Sequence, residues 1–148
     1  ALNGDATRFE FPRGMLQSPE VKFSFSGLKT SLRYRLEKMS DADLEEAMSD
    51  ICASYQQAVV DALVLKTKSV LKRGHFKSLG LSGGVANNRT LQSAFGKVAE
   101  KTRVPLLVAE PKQTGDNAGM VCFASFMDPS GTVEDGRGLE VNPSWKVG

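Results

Sequence analysis

Lys77-Ser78-Leu79-Gly80-Leu81-Ser82-Gly83-Gly84-Val85-Ala86-Asn87-Asn88-Arg89 changes period twice within a few residues. Lys77 to Leu81 predicts a short strand, Gly83-Gly84 a turn, and Asn88 to Lys101 a helix. Leu91, Ala94, Phe95, Val98 and Ala99 fall on one face of that helix and predict its buried stripe. Pro105 then precedes a second strand, Leu106 to Ala109, and Pro111 to Gly115 reads as a loop. Asp116 to Met127 reads as an apolar helix. Strand, helix, strand, helix is the pattern of an α/β unit built on a parallel sheet. Two strands make a thin sheet, so helices must supply much of the core.

Upstream, helical spacing dominates. Leu28, Leu32, Leu36 and Met39 share a face, with Ser26 as the expected N-cap. Ser40 opens a second helix, with Asp43 in a capping-box position. Apolar residues then recur from Leu44 to Leu63, between an acidic start at Asp41 and Asp43 and a basic end at Lys72 and Arg73. Gly74 is the expected stop. Residues 1–25 read as an irregular lead-in, in which Phe9/Phe11 and Phe23/Phe25 alternate with polar neighbours as two short strands would. The 148 residues suit a single lobe: the 1–25 lead-in, a helical insertion over 26–74, and a βαβα unit with its tail over 75–148.

Composition narrows the chemistry. There is one histidine, His75, and two cysteines, Cys52 and Cys122, 70 residues apart. A self-contained zinc finger, a disulfide scaffold and a two-histidine metal site are thereby disfavoured. Both cysteines fall in apolar helical stripes and read as core thiols. His75 reads as a surface turn residue, and Trp145 as an anchor for the tail. The apolar run Ala58 to Leu65 is interrupted by Asp61 and is far short of a membrane span. No signal peptide is visible, and the free thiols suit the cytoplasm. A net charge of +2 argues for solubility and is too small by itself to indicate nucleic acid.

Three segments carry candidate chemistry. Ser82 to Asn88 lies between strand and helix, where α/β sheets bind ligands. Glycines there admit a close ligand, helix-start N–H groups suit phosphate, and Asn88 offers both a donor and an acceptor. A tight turn with an Asn cap accounts equally for the string. Thr114 to Met120 also follows a strand, so Asp116 is either a metal or phosphate-facing carboxylate or an ordinary N-cap. If the strands are parallel, both segments share one sheet edge. Ser24 to Thr30 places Lys29 in a first helical turn, against the dipole, with Arg33 one turn on. That face either contacts phosphate or is simply solvated.

These segments, in this order, resemble the second half of the tRNA threonylcarbamoyltransferase family, once called O-sialoglycoprotein endopeptidases or glycoproteases. Phe23-Ser24-Phe25-Ser26-Gly27-Leu28-Lys29-Thr30 is similar to the family's FSFSGLKT string. Gly83 to Arg89 resembles its GGVxxNR segment, and Gly115 to Met120 its DN-small-small-M segment. The resemblance implies the C-terminal lobe of an actin-like, sugar-kinase-like fold around a nucleotide cleft. It implies transfer of threonylcarbamoyl from threonylcarbamoyl-adenylate to the exocyclic amine of the adenosine beside the anticodon. It further implies that Asn88, Gly83 and Gly84 hold the nucleotide (the adenylate or ATP). Asp116 would be one ligand of a divalent metal, iron or zinc. Implied partners are tRNA, contacted through Lys29 and Arg33, and the degenerate paralogue and small ATPase of the bacterial complex.

The chain also departs from the family pattern. The family's two metal histidines and much of its nucleotide pocket lie in its first half, and His75 matches neither histidine. The expectation is a lobe of a longer protein, inactive without its N-terminal lobe. The alternatives are a non-catalytic partner-binding module and a lobe of another actin-like kinase or carbamoyltransferase.

Overall fold

The computed structural model describes residues 1–16, 18–115 and 118–128. Four α-helices and two strands follow in the order α1 (Ser26–Leu36), α2 (Asp41–Leu71), β1 (Leu79–Leu81), α3 (Arg89–Thr102), β2 (Leu106–Val108) and α4 (Ala118–Met127) among these residues. Short 3₁₀ turns at Gly84–Asn87 and Pro111–Gln113 follow the two strands. The chain divides into two units, Ala1–Thr114 and Gly115–Gly148. The second contributes α4, a strongly apolar helix.

The two strands pair in parallel, Leu79 with Leu106 and Leu81 with Val108, so the α/β expectation holds. Asn88 caps α3, its Oδ1 accepting from Leu91 N at 3.0 Å. Leu91, Phe95, Val98 and Ala99 are buried and Ala94 is packed beside them, as the stripe predicts.

Helix α2 runs unbroken for 31 residues, roughly 46 Å at 1.5 Å per residue. Ser40 caps it reciprocally: its Oγ accepts from Asp43 N at 3.2 Å and donates to Asp43 Oδ2 at 2.6 Å. The helix ends at Leu71 with Lys72 as its cap residue, two residues before Gly74. Its first half packs with Phe11 and Leu28 into one core. Its second half contributes Val60 and Val64 to another, with Leu91, Phe95 and Val98 of α3 and flanking Leu79, Leu81 and Leu106 of the sheet. Both cores therefore share one helix.

The lead-in forms no strand among the described residues, contrary to the alternation at Phe9/Phe11 and Phe23/Phe25. Side chains of α2 take the place of a partner strand. Asp50 Oδ1 accepts from Asp5 N at 2.7 Å, and Ser54 Oγ accepts from Phe9 N at 3.2 Å. Asp61 binds Arg13 through Nη2 at 2.7 Å. Phe11 is buried with its ring edge-on to Tyr55, the centroids 5.5 Å apart. Gly4 lies so close to the Ser49 carbonyl that no Cβ would fit. Lys66, 4% exposed, donates from Nζ to the carbonyls of Met15, Ser18 and Glu20 at 2.6, 2.9 and 2.9 Å. This holds Met15 at a φ of 56°.

Two further expectations are corrected. Ser26 is the first residue of α1 and Phe25 occupies the cap position, with no side-chain cap bond. Leu28 is pulled into the core with Phe25 against it, so packing sets where this helix begins. Cys52 and Cys122 are both exposed free thiols. On α2, Ile51, Ala53 and Ser54 take the buried directions, which turns Cys52 outward.

Candidate functional site

The candidate site is built on the carboxyl ends of β1 and β2. Parallel pairing puts both ends at one edge, and Ala109 N extends the ladder by donating to Leu81 O at 2.9 Å. After β1 the chain turns sharply. Gly83 has a φ of 84°, a conformation open to glycine and strained for other residues. Ala86 N then donates to Gly83 O at 2.9 Å as the 3₁₀ turn closes. Above both Gly83 and Gly84 a Cβ would meet no atom of the described residues within 4 Å. A ligand can thus lie directly over this backbone.

After β2 the chain makes the second 3₁₀ turn and reaches Thr114. Asn87 Nδ2 donates to Thr114 Oγ1 at 2.7 Å, and Thr114 Oγ1 donates to Pro111 O at 2.8 Å. Thr114 is buried, so its hydroxyl needs both partners. This relay ties the glycine turn to the start of the second segment. Sequence reasoning assigns no role to Asn87 or Thr114 individually. Their pairing depends on the parallel register, and spacing alone carries no sign of it.

Asn88 is more occupied than a free ligand contact would be. Besides capping α3, its Nδ2 donates to Gln56 Oε1 at 2.8 Å, and Gln56 Nε2 donates to Thr90 Oγ1 at 3.2 Å. Helix α2 thereby fixes the amide from behind. One amide hydrogen and one carbonyl lone pair are left over for a ligand.

Asp116 lies outside the described residues, as does Trp145. Among the described residues no group of three or more His, Cys, Asp or Glu could hold a metal ion. His75 is exposed, as expected. The described side chains therefore do not form a metal centre by themselves.

Lys29 and Arg33 are exposed on α1. Arg33 Nε meets Glu37 Oε1 at 3.4 Å, and its guanidinium lies 5.0 Å over the Tyr34 ring. Arg35 lies against Phe9 and Phe11, at 4.9 and 5.4 Å from their ring centres. An open cleft of about 550 Å³ on this helix is lined by Gly27, Thr30, Ser31, Tyr34, Arg35, Lys38 and Met39. Among the described residues, none that lines this cleft belongs to the two strand-end loops.

No described helix is long and apolar enough to cross a membrane. The architecture is helix-rich around a small parallel sheet, with a glycine turn and a capped helix at the strand ends. Phe23 to Thr30, Gly83 to Arg89 and Gly115 to Met120 all fall within residues 1–123, the stretch matched by the family model described as TsaD, tRNA N6-adenosine threonylcarbamoyltransferase. The chain belongs to that family of tRNA-modifying transferases.

Proposed function

We propose that this chain is the C-terminal, nucleotide-holding lobe of a tRNA threonylcarbamoyltransferase. The observation that carries the reading is the open backbone over Gly83 and Gly84, locked to the second loop through Asn87 and Thr114. A flat, Cβ-free floor at the carboxyl ends of parallel strands suits an adenylate or ATP. In this reading the ligand rests on Gly83 and Gly84, and Asn88 uses its remaining hydrogen-bonding capacity on it.

The reaction is an acyl transfer. The exocyclic nitrogen of the adenosine beside the anticodon attacks the carbamoyl carbon of threonylcarbamoyl-adenylate. A C–N bond forms, the bond from that carbon to the phosphate oxygen breaks, AMP leaves, and the amine gives up one proton. Asp116 is proposed as one ligand of an iron or zinc ion, completed by two histidines of an N-terminal lobe. Such an ion supplies Lewis acidity when bound. Lys29 and Arg33 are proposed contacts to tRNA phosphate. The degenerate paralogue and the small ATPase of the bacterial complex are the proposed protein partners. Two exposed free cysteines suit the reducing cytoplasm.

The test is transfer by the full-length protein with its partners, given threonylcarbamoyl-adenylate and unmodified tRNA. Modified adenosine and stoichiometric AMP are expected. A folded full-length protein that releases no AMP and modifies no tRNA overturns the reading. Turnover by the purified 148-residue chain would overturn its assignment as an incomplete lobe.

A further inference from the structure

We infer that the groove between α2 and α3 is a track for the RNA phosphate backbone, separate from the glycine turn and from α1. It rests on the reading of this chain as part of a tRNA-modifying enzyme. The groove measures about 540 Å³, and Lys68, Arg89, Lys97 and Lys101 are among its lining residues. Among the described residues none of the four is in a salt bridge, whereas Arg8, Arg13 and Arg33 all are. No described carboxylate lines the groove. Asp61, further back on α2, is engaged by Arg13, and Glu100 on α3 does not line it.

The overall charge conceals this concentration. The chain carries +2 in all, so these four cations leave −2 for everything else. A globally unremarkable charge is thus compatible with a strongly positive stripe. The stripe is also long. Arg89 and Lys101 lie 12 positions apart on one helix, roughly 18 Å at 1.5 Å per residue. That length accommodates successive phosphates and exceeds what a single small anion needs. The Thr90 and Ser93 hydroxyls lie between the charged ends and add neutral donors of the kind that bind phosphate oxygens. With no base-reading aromatic in the described lining, the groove positions RNA and leaves the choice of base to the site.

The test is tRNA binding by the full-length protein across a salt series, comparing the Lys97→Gln/Lys101→Gln double variant with Lys22→Gln. Lys22 pairs with Glu20 elsewhere on the surface. Each neutralised phosphate contact lowers the slope of log affinity against log salt by about one. The double variant should therefore lose about two units of slope and about tenfold in affinity at low salt, with Lys22→Gln unchanged. Arg89→Gln, at the other end of the groove, should lose about one unit. Wild-type slopes in all groove variants would overturn the track. So would groove variants that lose binding of polyglutamate while keeping wild-type affinity for tRNA, which would favour an acidic protein partner. If wild-type protein modifies tRNA while the groove variants bind it normally, only the track fails. If wild type neither binds nor modifies tRNA, the functional reading fails with it.

Discussion

The side-chain amide of Asn87 donates to the hydroxyl of Thr114 across 2.7 Å, joining the loops that follow the two parallel strands. The bond spans 27 residues of sequence. Replacing Thr114 by Val keeps the shape and removes both hydrogen bonds of the relay. A double-mutant cycle of Asn87→Ala with Thr114→Val should give a coupling of about 1 kcal/mol in stability. Adenylate affinity should fall in either single variant. Zero coupling would make the contact incidental.

Asn88 has two structural duties that can be separated. Asn88→Ala removes both the cap of α3 and the bridge to Gln56, and should cost about 1–2 kcal/mol in a urea melt. Asn88→Asp keeps an oxygen for Leu91 N and loses only the amide donor toward Gln56, so its loss should be smaller. A ligand role predicts that both variants weaken adenylate binding regardless of that difference.

The glycines make opposite predictions. Gly83, at a φ of 84°, should be destabilised by alanine, by about 1–3 kcal/mol. At Gly84 a Cβ meets none of the described residues, so Gly84→Ala should leave the melting curve nearly unchanged. If Gly84→Ala nonetheless reduces adenylate affinity, a ligand fills that space. Unchanged affinity would place the ligand elsewhere.

Acid should loosen the lead-in first. The Thr7 hydroxyl, then its N–H, hold the Asp5 carboxyl below its usual range. The Arg8 guanidinium, then the Asp5 N–H, do the same for Asp50. Both folded-state values lie below the unfolded ones, so the stabilisation is complete above the ordinary aspartate value. It is lost as pH falls through the lowered values. Stability should hold near neutrality and fall below about pH 4. Asp50→Asn should flatten that acid limb, and urea melts between neutral and strongly acidic pH would show it.

Lys66 is a buried cation whose partners among the described residues are backbone carbonyls. Lys66→Met should strand those carbonyls and cost about 3 kcal/mol. Limited proteolysis should then cut near residues 15–20 before it cuts elsewhere. Unchanged protection there would mean the loop is held by other contacts.

Much of the fold is legible in the sequence because one-dimensional signals decide it. The α3 stripe, the Ser40 capping box and the strand–glycine–helix order each reside within a few neighbouring residues. The lead-in misleads because Phe9 and Phe11 alternate as a strand does. Its backbone N–H groups at Asp5 and Phe9 instead find helix side chains 45 positions away, at Asp50 and Ser54. Cys52 is misread because an apolar stripe leaves open which edge of it turns inward. Of the site, the glycines and Asn88 are visible in advance, whereas Asn87, Thr114 and Gln56 matter only through long-range pairing. The basic groove is invisible for a related reason. Its charges belong to two helices, and a sum over the chain averages them away.

Because α2 belongs to both cores, its rotational phase is a shared constraint. Every residue added to or removed from a helix turns the downstream portion by about 100° and shifts it by about 1.5 Å. An insertion between Ala58 and Val60 would therefore leave the Phe11–Ile51 core in place and aim Val60 and Val64 away from Leu91 and Phe95. Gln56 would keep its place while the groove wall carrying Lys68 rotated off its partner. Helix α2 works as a keyed shaft between the lead-in and the sheet, tolerant of side-chain exchange on its outer face and intolerant of any change in length.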